Sequence, residues 1–248
     1  MIQKNPFWTP SGSGYANSNV YREEINPTKL AELWSDISSG EFRQAHVGMH
    51  YTASSGRKYW FADADYFFGG GDTEITFHHM LVIEDEINHT ASHHTSDTTE
   101  GGAQSSDIYT STLPTYQSEL ETDFGASHIK ETRLLMSDAV SSGMPSNWSY
   151  VVKKSFLLNM PMVFGHYLQF TGNAGEMFNG GNRARQCSLF RSMPETIISR
   201  LANTTTRQWY WTDDVESAYV FGMVNLGNVA NCDYATLVGG VRRAFIIG

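Results

Sequence analysis

Apolar residues first recur at helical spacing after Asn26, where Leu30, Leu33, Trp34 and Ile37 fall at i, i+3, i+4 and i+7. Asn26 suits an N-cap, Pro27 the first helical position and Gly40 a stop, so the pattern predicts one helix with a single buried face. Beyond Gly40 the period shortens. Strands are predicted over residues 45–51, 58–62 and 79–84, separated by the turn Ser54-Ser55-Gly56 and the loop Gly69-Gly70-Gly71-Asp72-Thr73, which implies an antiparallel sheet. The polar stretch from Asn88 to Ser106 reads as a surface loop. Leu113, Tyr116, Leu120 and Phe124 then mark a second helix that Gly125 ends. Further strands are expected over residues 129–136 and 148–156, with an exposed Gly- and Asn-rich loop from Gly172 to Arg185.

The last forty or so residues alternate most clearly. They open on Trp209-Tyr210-Trp211 and close on Gly239-Gly240-Val241-Arg242-Arg243-Ala244-Phe245, and both ends read as core. Between them Asp213, Asp214, Glu216, Tyr219, Asn225, Asn228, Asn231, Asp233 and Tyr234 interleave with Ala218, Val220, Gly222, Val224 and Ala230, the period of half-buried strands. These nine polar and aromatic residues are the expected ligand-binding set. Tyr supplies contact area at low entropic cost and Asn adapts its hydrogen bonds, whereas an ordinary solvated edge carries more Lys and Glu.

Residues 1–25 carry Pro6, Pro10, Gly12 and Gly14 with Phe7, Trp8, Tyr15 and Tyr21 scattered without period. This composition predicts an extended N-terminal arm whose aromatics dock either on a neighbouring subunit or on the parent domain, leaving residues 26–248 as one domain. A chain of 248 residues with 40% hydrophobic content can bury a substantial single core. The formal net charge of -9 and the absence of a basic cluster argue against a nucleic-acid partner. No apolar run approaches the roughly 20 residues that span a bilayer, and the start lacks a secretion signal, so neither membrane insertion nor export is expected. Cys187 and Cys232 are expected as reduced, buried thiols.

Candidate chemistry changes this picture little. His78-His79 with Asp72 and Glu74 offers metal-ligand types, but adjacent strand residues point to opposite faces, so one His is expected in the core, bonded to backbone, and the other at the surface. His89, His93 and His94 with Asp97 and Glu100 are read as a solvated loop. No Gly-x-Ser-x-Gly turn anchors a hydrolase triad. No metal, no cofactor and no catalytic residue is expected.

The segments Tyr59-Trp60-Phe61-Ala62-Asp63-Ala64-Asp65-Tyr66-Phe67, Gly71-Asp72-Thr73-Glu74 with His78-His79, Ser106-Asp107-Ile108-Tyr109, Phe124-Gly125, Arg207-Gln208-Trp209-Tyr210-Trp211 and Gly240-Val241-Arg242 with Ala244-Phe245 resemble a set of phage and prophage structural proteins of Gram-positive and gut bacteria. In its C-terminal half that set is similar to the broad C-type-lectin-like fold, shared by formylglycine-generating enzymes and by the receptor-binding proteins that diversity-generating retroelements mutate. The resemblance implies an α+β domain, two helices flanking a twisted antiparallel sheet, and a C-terminal ligand-facing surface. It departs at Thr212-Asp213, where the set has Leu-Arg, and at Arg243, where it has Pro; these are read as a new negative charge on the display surface and a free backbone N–H. The paired reactive thiols of the oxidases are not expected from Cys187 and Cys232. The lectin pieces Glu-Pro-Asn and Trp-Asn-Asp are missing, so recognition without calcium is expected.

The expected function is thus a bacteriophage virion protein, a tail or baseplate adhesin or a head decoration, made in the host cytoplasm and holding a host cell-surface protein or glycan. Its other partners are virion proteins and sibling subunits, in a homo-oligomer. One alternative is a purely architectural cement between capsid or tail subunits; a second is a surface-polysaccharide hydrolase.

Overall fold

A computed structural model describes residues 23–141, 144–165, 183, 185–192, 209–225 and 230–248, with backbone alone at 139–141 and 144–146. Phe7, Trp8, Tyr15 and Tyr21 of the expected arm, Asn228, and most of the loop from Gly172 to Arg185 lie outside the described residues.

In chain order the elements begin with β1 (Glu24–Ile25), α1 (Pro27–Ser38), β2 (His50–Thr52), β3 (Lys58–Ala64), β4 (Met80–Glu84) and β5 (His89–Ala91). A π-turn (Ile108–Thr112) leads into α2 (Leu113–Thr115) and α3 (Gln117–Phe124). Then come β6 (Ile129–Lys130), β7 (Thr132–Ser141), β8 (Met144–Lys153), β9 (Ser155–Leu157), α4 (Met160–Phe164) and α5 (Ser188–Ser192). The chain closes with β10 (Tyr210–Val215), β11 (Val220–Val224), β12 (Ala230–Tyr234), β13 (Gly239–Val241) and β14 (Arg243–Ile247). The result is a mixed α+β fold dominated by sheet.

Local chemistry explains where these elements start. Asn26 Oδ1 accepts the backbone N–H of Lys29 at 3.0 Å, so the cap read from sequence forms, and Leu30, Leu33 and Ile37 are buried behind it. The strand predicted from Ala45 begins only at His50. Arg43, Gln44 and Ala45 instead donate their N–H groups to the buried Asp36 carboxylate at 2.8, 2.8 and 2.7 Å, which leaves this backbone no donors for a ladder. At the other end of the expected arm, Glu24 and Ile25 already pair in parallel with His50 and Tyr51, and Ile25 is buried.

The central sheet runs in the order β1, β2, β3, β4, β14 and β6, with β9 also paired to β14. Its inner strands β4 and β14 are buried on both faces, so alternate residues serve two cores. Met80, Val82, Phe245 and Ile247 enter one core with Leu30, Leu33 and Ile37 of α1 and Leu120 and Phe124 of α3. Leu81, Ile83, Ala244 and Ile246 enter the other with Phe156, Trp211, Phe221 and Val241. Each such side chain stabilises the fold by about 1.5–3 kcal/mol relative to exposure. Of the two helices expected to flank the sheet, α1 and the α3 portion of the second therefore stand on the same face, while Leu113 of α2 enters the other core.

A second sheet, in the order β12, β11, β10, β13 and β5, supplies much of the other core. The stretch from Asn88 to Ser106, expected as a free loop, contributes β5, which pairs Ala91 with Gly239 and His89 with Val241. Its polar residues hid the strand because an edge strand keeps one side wet. Arg242 sits at the corner where β13 of this sheet passes into β14 of the first. Its Nε donates to Glu84 O at 2.7 Å, and its guanidinium lies 5.2 Å from the Tyr210 ring. Arg243 uses its backbone N–H to donate to Glu84 Oε2 at 2.9 Å.

Candidate functional site

The polar residues of the C-terminal sheet divide into a buried group and an exposed one, and a backbone irregularity makes the division. Trp211 pairs with Met223 and Val215 with Phe221, so Thr212, Asp213 and Asp214 stand opposite Gly222 alone. A bulge of this kind breaks the two-residue period and re-aims side chains. Gly222 is required there, because a Cβ would lie 2.5 Å from Thr212 Oγ1. Both carboxylates consequently enter the interior, which corrects the expectation that Asp213 and Asp214 face solvent.

The two acids are satisfied differently. Asp213 Oδ2 receives Arg183 Nη1 at 2.6 Å and Tyr109 Oη at 2.8 Å, while Arg183 Nη2 donates to Leu135 O. Tyr109 is presented by the π-turn, and its Oη also accepts the N–H of Leu157 at 3.0 Å. Asp213 is thus an internal strut joining β7, β9 and β10, and the negative charge expected on the display surface is neutralised inside. Asp214 Oδ2 accepts the N–H of Met160 at 2.7 Å at the start of α4. Burial, with Asp213 and Glu216 nearby, pushes its carboxyl well above the usual aspartate range. Glu216 is half-buried at the end of β10, and desolvation raises it to about 7.

The exposed group gathers at the far margin of the second sheet. Tyr219 is 58% exposed and Tyr234 56% exposed, one register step apart across β11 and β12, where Val220 pairs with Tyr234 and Ala235 donates to Tyr219 O at 3.0 Å. The turn after β12 adds Leu237 and Val238, 42% and 62% exposed. Asn231 is exposed, and Asn225 and Asp233 are half-buried. The segment from His94 to Glu100 borders these residues: Asp97 Oδ1 accepts Thr236 Oγ1 at 2.6 Å, and Thr99 donates to Ala218 O at 3.1 Å. Tyr219, Tyr234, Leu237, Val238, Asp97 and Glu100 are all exposed and give this margin of the sheet a mixed apolar and acidic surface. Leu237, Val238, Asp97 and Glu100 had not been assigned to it. A Leu-Val pair just before Gly239-Gly240 reads as the start of a core strand, and only the turn at residues 235–238 turns it outward.

The other candidate groups resolve into structural roles. His79 is buried, with Nε2 accepting the N–H of Phe67 and Nδ1 3.1 Å from Phe77 O; half-exposed His78 meets Asp65 at 2.7 Å. Exposed Asp72 pairs with Arg133 and stands apart from both histidines in its bonding. His93, expected in a solvated loop, is fully buried between Phe221, stacked at 3.8 Å, and the edge of Trp211 at 4.9 Å. Desolvation lowers it to about 3. His89 bonds Glu119 Oε2 at 2.9 Å from within β5, so only His94 remains near the face. Both cysteines are free thiols; Cys187 is buried and Cys232, against expectation, is half-exposed. Trp211 is fully buried and donates Nε1–H to Ala91 O at 2.9 Å, while Trp209 meets it edge-on at 4.9 Å, as core packing requires. Among the described residues, no three His, Cys, Asp or Glu side chains converge on a metal position.

Comparison with protein-family models, with curated proteins and with solved structures finds no match to this chain.

Proposed function

We propose that this chain is a recognition module that holds a macromolecular partner on the face built by Tyr219 and Tyr234. The observation that carries the reading is that two large aromatic side chains stand more than half exposed, one register step apart at the margin of a sheet whose strands β10, β11 and β13 are buried in the core. Exposed tyrosines on rigid backbone are the usual anchors of protein recognition, since little entropy is lost when they are covered. Nearby Leu237 and Val238 extend the apolar contact. A C-type-lectin-like arrangement and a setting on a bacteriophage particle, as adhesin or decoration, agree with the resemblance in the sequence. On such a particle weak single contacts add up, because linked sites raise apparent affinity by roughly 10²–10⁴.

The reading is tested by labelling the full chain, measuring its binding to intact Gram-positive and gut bacterial cells, and repeating with Tyr219→Ala combined with Tyr234→Ala. Both side chains lie outside the core, so the double variant folds. Binding is expected to fall by about tenfold or more, the effect of losing more than 1.4 kcal/mol of contact. Binding that is unchanged in the folded double variant overturns the proposal.

A further inference from the structure

We infer that the partner held on this face is a positively charged polypeptide segment bearing apolar side chains. The inference deepens the proposed recognition function and rests on it. Two stretches of chain build the face, and both lack surface cations. From Trp209 to Val241 the sequence contains no Lys, Arg or His, and from Glu86 to Ile129 no Lys or Arg. Asp97 and Glu100 are exposed, Asp97 bonding Thr236 two residues beyond Tyr234, and half-buried Asp233 directly precedes Tyr234. The carboxylates have no partner of opposite sign supplied by these two stretches, so a cationic ligand is the electrostatic complement.

The aromatic rings favour the same ligand, because Lys and Arg side chains settle on tyrosine faces as cations over a π system. Leu237 and Val238 then decide between a peptide and a sugar. Aliphatic side chains offer no hydrogen bonds to hydroxyl groups, but they gain by covering leucine, valine or methyl-rich stems, and the stems of Lys and Arg themselves are apolar. Among the described residues β12 has a strand neighbour only in β11, which leaves its other side as an edge onto which an extended peptide can be added. A second copy of this chain is the poorer occupant, since pairing two such faces would set carboxylates against carboxylates on molecules of net charge -9.

The test immobilises the full chain and passes over it a short peptide of alternating Lys and Leu, its Ser-for-Lys and Glu-for-Lys counterparts, and oligosaccharides released from the cells that the chain binds. The Lys-Leu peptide is expected to bind about tenfold or more tightly than the Ser-Leu peptide, with the difference shrinking as sodium chloride is raised, and the Glu-Leu peptide is expected not to bind. Asp97→Asn with Glu100→Gln should remove most of that preference, chiefly through a slower association rate, while Tyr219→Ala with Tyr234→Ala should speed dissociation. Equal binding of the Lys-Leu and Ser-Leu peptides, or a preference untouched by the Asp97 and Glu100 changes, overturns the inference. Oligosaccharide binding that the tyrosine changes abolish, with no peptide binding, also overturns it and leaves the recognition function standing. Cell binding indifferent to the tyrosine changes sinks the recognition function itself.

Discussion

Asp213 and Asp214 are sequence neighbours that the interior treats in opposite ways, and their substitutions separate the two treatments. Asp213→Asn would strand the Arg183 guanidinium, 1% exposed at its side chain, without its carboxylate partner. A loss of about 3–5 kcal/mol in unfolding free energy is expected, measured by chemical denaturation. Asp214→Asn keeps an oxygen for the Met160 N–H and replaces a carboxyl whose ionised form burial disfavours, so a smaller loss than at Asp213 is expected. His93 and Glu216 make opposing pH contributions. His93 titrates at about 3 in the fold against an ordinary 6.5, so its contribution is whole above pH 6.5 and is lost as the pH falls toward 3. His93→Phe should therefore gain on the natural chain by about 2 kcal/mol between pH 8 and pH 5. Glu216 runs the other way: with its carboxyl raised from 4.5 to about 7, the fold loses stability as the pH rises through that window. Glu216→Gln should be the more stable form at pH 8 by about 1–2 kcal/mol, allowing for the water that still reaches the group, and the advantage should vanish below pH 4.5. Because the two slopes nearly cancel between pH 4.5 and 6.5, only the difference curves reveal them.

At the scale of elements, the β10 bulge is what converts an alternating sequence into two buried acids. Its existence depends on Gly222, the one residue facing Thr212, Asp213 and Asp214 across the strand pair. A methyl group there would press on Thr212 Oγ1 and, at 3.2 Å, on Asp214 Cβ, so Gly222→Ala should cost about 1–3 kcal/mol in thermal or chemical unfolding. An unchanged midpoint would mean that the bulge relaxes freely and does not hold the carboxylates. The π-turn over Ile108–Thr112 is the counterpart on the other side of the strut, since it carries Tyr109 to Asp213. Neither irregularity has a one-residue signature. Helix α1 was legible because its cap, its proline and its apolar stripe are all local, and β4 was legible as an uninterrupted apolar run. β5 was not, for its pairing partner β13 lies some 150 residues further along the chain and nothing in the His-Thr-Ala segment announces it.

For the molecule as a whole, β14 is the element on which both cores depend. It pairs with β4 on one side and with β9 and β6 on the other, and its side chains alternate between the helix-covered core and the core shared with the second sheet. Deleting residues 244–248 should abolish cooperative folding, with loss of near-ultraviolet circular dichroism at all temperatures. The same sharing predicts that the intact chain unfolds in one step, so that near- and far-ultraviolet signals melt together; two separated transitions would show that the cores are independent. The acidic, tyrosine-bearing face lies at the margin of the second sheet, away from β14, and its side chains can vary without disturbing this frame.

Composition and periodicity by themselves determined the capped helix α1, the apolar inner strands, the core role of Trp211 and the division of labour between His78 and His79. These follow from interactions within a few residues of one another, or from the water-avoidance of whole apolar runs. The inward turn of Asp213 and Asp214, the burial of His93, the gathering of α1 and α3 on one face and the outward display of Leu237 and Val238 were decided only by tertiary structure. Each of them depends on partners distant in the chain, and a side chain's exposure is set by what the fold brings against it and not by its own polarity.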